Sequence, residues 1–81
     1  MGSIRVAGIR FTAHPQDHMP RHVHAMTGSG EVIIELLTRG KVRLDQRTQP
    51  VRGATTNDVR KALKVAAFSH DLLIQLWEKA R

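Results

Sequence analysis

Period-two alternation runs through the first half of the chain and helical periodicity through its last third. Ile4 to Thr12 begins as a strand, with Ile4 and Val6 on one side and Arg5 and Ala7 on the other. The phase slips at Gly8, after which Ile9 and Phe11 are the apolar positions. A glycine at a phase change predicts a β-bulge that moves the following side chains to the opposite face. His14-Pro15-Gln16-Asp17 then breaks the strand, because Pro15 lacks an amide donor and Asp favours turns. After Pro20, Arg21 to Thr27 alternates again, Val23 and Ala25 on one face and His22, His24 and Met26 on the other. Gly28-Ser29-Gly30 predicts a hairpin into Glu31–Leu37, a run apolar on both sides apart from its glutamates, as a strand covered on both faces would be. Thr38-Arg39-Gly40 reads as a turn, and Lys41–Leu44 as a short charged edge strand.

Residues 45–54, polar and carrying Pro50 and Gly53, read as a linker. Beyond them Thr55 or Thr56 can cap a helix, with Asp58 in its first turn complementing the dipole. Val59, Ala62, Leu63, Ala66, His70, Leu73 and Trp77 recur at spacings of three and four, an amphipathic stripe. Ser69-His70-Asp71 is a candidate break, since Ser and Asp compete for backbone hydrogen bonds. The expected architecture is α+β. A three- to four-stranded antiparallel sheet (about 4–44) is followed by the linker and one or two C-terminal helices (about 56–80) on one face, all in a single domain of residues 1–81.

The 81-residue length allows one core, and a chain of this size buries only about 60–65% of the surface its unfolded form exposes. Dimerisation would offset that thin margin, with Trp77 as core or dimer contact. With no cysteine there are neither disulfides nor thiolate metal sites, which fits a reducing cytoplasm. No stretch reads as a signal peptide or membrane span, so a cytoplasmic protein without membrane contact is expected. Thirteen Lys and Arg against seven Asp and Glu give a net +6, a balance that suits a nucleic-acid or acidic protein partner. Arg39, Lys41, Arg43, Arg47 and Arg52, together with Arg60, Lys61 and Lys64 off the helical stripe, are expected to form one phosphate-contacting patch. Only three aromatic residues are present, none interleaved with these cations, which argues against a base-stacking platform.

The densest chemistry is histidine: His14, His18, His22 and His24 fall within eleven residues. Three readings stand side by side. On a strand, His22 and His24 share a face and can grip a divalent transition metal, with His18 or Asp17 as third ligand and His14 as fourth. Without metal, the same histidines can move protons in phosphodiester cleavage, with Arg21 holding the phosphate. Architecturally, imidazole's two nitrogens can satisfy backbone groups around the Pro20 turn. His70, on the apolar stripe, reads as a core histidine.

The runs Gly8-Ile9-Arg10-Phe11, Asp17-His18-Met19-Pro20-Arg21-His22-Val23-His24-Ala25 and Gly30-Glu31-Val32, with Leu73-Ile74-Gln75-Leu76-Trp77 near the end, resemble the small bacterial domain-of-unknown-function family 4160. Its Asp-His-x-Pro-x-His-x-His core falls on Asp17, His18, Pro20, His22 and His24; Arg21 stands where many relatives have Pro or Ala, and Val23 where many have Phe. The resemblance implies a small β-rich domain with terminal helices in a toxin–antitoxin-like or mobile-element module. The expected function is binding of a protein or nucleic-acid partner through the histidine loop and basic surface. A metal-dependent or histidine-based nuclease, and a structural interaction protein without catalysis, are the alternatives.

Overall fold

The computed structural model describes residues 2–15 and 19–80. Six strands, β1 (Gly2–Val6), β2 (Ile9–Ala13), β3 (His22–Met26), β4 (Glu31–Leu36), β5 (Val42–Leu44) and β6 (Val51–Arg52), precede two helices, α1 (Thr56–Phe68) and α2 (His70–Lys79). The strands form one antiparallel sheet in the order β1-β2-β3-β4-β5, with β6 also on β4. The α+β architecture with two C-terminal helices is therefore as expected, but the sheet has more strands than the three or four anticipated.

Two local differences account for the extra strands. Gly8 is not a bulge: Ala7 and Gly8 both have positive φ, 52° and 78°, the combination a two-residue type I′ hairpin turn requires. The chain reverses there, pairing Val6 with Ile9 and Ile4 with Phe11, so the phase slip returns the apolar residues to the same face. Residues 45–54 are not a free linker either. Asp45 N–H donates to Ile33 O and Ile33 N–H donates to Pro50 O, so the loop leaves and rejoins the edge of β4, and β6 pairs Val51 with Val32. The β4–β5 turn repeats the first hairpin's device, with Arg39 at φ 61° and Gly40 at 74°.

Phe11, Ala13, Val23, Ala25, Val32, Ile34 and Leu36 point to one face of the sheet, where Ala62, Ala66, Leu73, Leu76 and Trp77 close the core. Thr55 caps α1, its hydroxyl accepting from Asp58 N–H at 3.2 Å. Ser69 separates the helices at the break expected there. His70 is a core histidine, its Nε2–H donating to Leu37 O at 2.6 Å. Trp77, 2% exposed, belongs to the core. Among the described residues no helix is long and apolar enough to cross a membrane.

Candidate functional site

Because both helices occupy one face, the register defines three cross-strand rows on the other. Arg5, Arg10, Met26 and Glu31 form the first; Ser3, Thr12, His24 and Ile33 the second; His22, Glu35 and Arg43 the third. His14, two residues beyond Thr12, extends the third row by alternation. The histidine segment and the neighbouring arginines thus meet on the face away from the helices.

His14, His24 and His22 form a ring column. His14 and His24 meet edge-on with centroids 4.6 Å apart, His24 and His22 lie 5.5 Å apart, and His22 reaches within 5.4 Å of Trp77. Each ring has a different task. His24 Nδ1–H donates to Glu31 Oε2 at 2.9 Å, while its Nε2 edge is buried. His22 Nδ1 lies 2.9 Å from Pro20 O and 3.1 Å from Arg47 Nη2, so it donates to the carbonyl when protonated there and accepts from the guanidinium when not. The intervening Met19–Pro20 peptide is cis. His18 and Asp17 lie outside the described residues. Among those described, no group of three or more His, Asp or Glu side chains is disposed to hold a metal ion.

Arg47 belongs to a clamp. Its Nε donates to Asp45 Oδ1 at 3.3 Å and its Nη1 to Met19 O at 3.1 Å, while Thr48 Oγ1 donates to Asp45 Oδ2 at 3.1 Å. Burial alone would raise the Asp45 carboxyl. The hydrogen bonds from Thr48 and Arg47, with the charges of Arg47 and His22, outweigh it and hold the group below its usual 3.8. The loop after β5 is thereby fastened to the loop before β3, which sets where His22 sits.

The cations divide. Arg43 pairs with Glu35 at 3.0 Å, Arg47 with Asp45, and Arg52 with Glu31 at 3.5 Å. Arg5 and Arg10 lie directly opposite one another in the register, are exposed, and have no carboxylate partner among the described residues. The expected single basic patch is split by the sheet. Arg43 and Arg52 turn toward Glu35 and Glu31 on the open face, Arg39 and Lys41 lie exposed at the β4–β5 turn, and Arg60, Lys61 and Lys64 lie on α1 behind the sheet. Arg21 is half-buried before β3, its carbonyl accepting from Leu36 N–H.

Beside Arg10 a groove of about 290 Å³ is lined by Arg10, Thr12, His14, His24, Met26 and Glu31. Sequence reasoning missed Arg5, Arg10, Thr12 and Glu31. The signal was parity: reading Ala7-Gly8 as a hairpin turn puts Arg5 opposite Arg10 and Ser3 opposite Thr12. Comparisons with family models, curated proteins and solved structures find no match for this chain.

Proposed function

We propose that this protein binds nucleic acid on the open face of its sheet. The observation that carries this reading is the Arg5–Arg10 pair. Like charges directly opposite on neighbouring strands repel, and no described carboxylate relieves them. A phosphate backbone would. The net +6 charge supports a polyanionic partner, and binding would show the steep salt dependence of phosphate contacts. The likeness of the histidine-proline core to the domain-of-unknown-function family 4160 supports placing such a binder in a toxin–antitoxin-like or mobile-element module of the bacterial cytoplasm.

The test is fluorescence anisotropy with single-stranded RNA, single-stranded DNA and duplexes between about 50 and 200 mM salt. Replacing Arg5 and Arg10 by Gln should weaken binding and lower the salt slope by about 1.4–1.8, the share of two phosphate contacts. Replacing Arg60, Lys61 and Lys64 by Gln should change it less. The opposite ranking would move the interface to α1, and no binding by the native chain would leave a protein partner in its place.

A second reading, cleavage of the bound strand, is favoured by the His24–Glu31 hydrogen bond, since a carboxylate that orients an imidazole is the arrangement of a positioned general base. The buried Nε2 of His24 ranks it below binding. Product analysis of the same RNA, with zinc or manganese and with chelator, would detect it; intact RNA under both conditions would remove it.

A further inference from the structure

β1 is the outer strand of the sheet, and no other strand covers its free side among the described residues. The Ala7-Gly8 hairpin decides which of its backbone groups face outward. In a two-residue turn the flanking pair, here Val6 and Ile9, exchanges hydrogen bonds, and bonded pairs alternate with non-bonded ones from there along the ladder. Val6, Ile4 and Gly2 therefore bond to β2, and the N–H and C=O groups of Ser3 and Arg5 point to the open edge. Edge strands are ordinarily protected by shortness or by charge. β5, at the opposite edge, has both, being three residues long with Arg43 at its centre. β1 is five residues long and carries a single charge.

This strand is complementary to itself about Ile4. An antiparallel copy placed on that centre sets Ile4 opposite Ile4 and Ser3 of each copy opposite Arg5 of the other, so the outward backbone groups of both strands are all met. On the face toward the helices, Val6 of one copy falls opposite Gly2 of the other. Gly2 leaves the adjoining surface to Leu76, whose Cδ1 would be 2.9 Å from a Cβ there, so the incoming valine packs on that leucine. Between β1 and α2 a groove of about 160 Å³, lined by Ile4, Leu72, Gln75, Leu76 and Lys79, continues this apolar surface, with Leu72 53% exposed. Charge selects the register. Moving the copy by one bonded pair toward Val6 sets Arg5 against Arg5, and like charges directly opposite are destabilising. Moving it the other way leaves Arg5 and Val6 beyond Gly2 of the other copy.

We infer that a second copy of this chain pairs with β1, antiparallel and centred on Ile4, in a two-fold dimer whose sheet is continuous across the interface. The pairing requires no ligand and stands apart from the nucleic-acid reading. It also sets the two Arg5 residues about 8 Å apart on one open face, from the strand rise and strand spacing.

Sedimentation equilibrium of the native chain without nucleic acid, from about 1 μM to 1 mM, covers the range of small, weak interfaces and should show reversible monomer–dimer exchange. Amide hydrogen exchange over the same range should show protection growing with concentration at Ser3 and Arg5, but not at Val42 and Leu44 on the opposite edge. Ser3→Glu sets a carboxylate opposite Arg5 of the other copy at two symmetric places and should tighten the dimer by about two- to thirtyfold; Ser3→Arg should weaken it by a similar factor. Ser3→Pro removes an outward N–H and leaves the β1–β2 ladder intact, so it should give a monomer whose circular dichroism is native. Monomer at every concentration overturns the pairing. So does a dimer that ignores both Ser3 charge variants and leaves the Ser3 and Arg5 amides unprotected, since the copies then meet on another surface. A dimer that binds no oligonucleotide keeps the pairing and removes only the nucleic-acid reading; a strict monomer that binds oligonucleotides does the reverse.

Discussion

Replacing Asp45 by Asn tests whether the Arg47 clamp holds the site together, because the substitution keeps the shape and removes only the charge. The Asp45 side chain is 1% exposed and receives hydrogen bonds from Arg47 and Thr48. Thr48 can reverse its hydroxyl to suit an amide, so the loss falls on the charge-assisted bond to Arg47. Such bonds contribute about 1.5–3 kcal/mol when protected from water. Arg47 is 42% exposed and the contact is long at 3.3 Å, so screening brings the expected loss to about 1–2 kcal/mol. In a domain of this size that lowers the thermal midpoint by about 4–16 °C. The pH dependence is the sharper readout. The folded-state carboxyl titrates below 3.8, so its contribution is complete above the unfolded value and disappears as pH falls through the folded one. The gap between the native protein and its Asp45→Asn variant, read by thermal melts followed by circular dichroism, is therefore wide at neutral pH and narrows below about pH 4. In an Arg47→Met background most of the Asp45→Asn effect should vanish. A gap that persists unchanged into acid, or an Asp45→Asn effect undiminished by Arg47→Met, would refute an electrostatic clamp.

The first hairpin turn can be improved. Ala7 adopts φ 52° at a cost for an L-residue of about 1–2 kcal/mol, so Ala7→Gly should recover part of it and raise the midpoint by a few degrees, less the entropy glycine loses on folding. Gly30 is a close-approach position, since a Cβ there would collide with Arg52 O and Ala54 N. Gly30→Ala should detach β6 from β4, read as lost amide protection at Ile33, whose N–H donates to Pro50 O. Arg10→Glu converts the repelling pair with Arg5 into an attractive one, worth about 0.2–1 kcal/mol of added stability, and should abolish binding of phosphate ligands while the fold tightens.

Periodicity was enough to place β3, β4, β5, both helices and the break at Ser69, because each carries a long signal or a capping residue. The Ala7-Gly8 hairpin was not legible as such. One glycine at a phase change suits either a bulge or a turn, and the choice depends on Ala7 accepting a left-handed conformation, which alanine rarely advertises. The 45–54 segment looked like a linker because its apolar content is low, yet two backbone hydrogen bonds to Ile33 tie it to β4. The histidines were visible from density alone. Their division of labour was not: that Glu31 would meet His24, or Arg47 reach His22, depends on cross-strand register and a loop crossing. Arg5 and Arg10 escaped notice because their significance lies in being opposite one another.

The same open face deals with its arginines in two ways, and the contrast is informative. On the β4–β5 side, Arg43 stands opposite Glu35 in register and the two neutralise each other at 3.0 Å. On the β1–β2 side, two arginines occupy the equivalent relation with no such partner among the described residues. If charge were there only to keep an edge strand soluble and unpaired, a Glu opposite Arg5 would serve equally well and add stability rather than subtract it. A chain of 81 residues has little stability to give away. Arg10 of the uncompensated pair also lines the groove that His14 and His24 border. His24, committed to Glu31, lines that groove, whereas His22 is committed to Pro20 and Arg47 outside its lining. Arg10, in the groove lining, has no carboxylate partner among the described residues. On the proposed nucleic-acid reading, the histidine motif frames a binding face whose ligand contacts come largely from the strand before it.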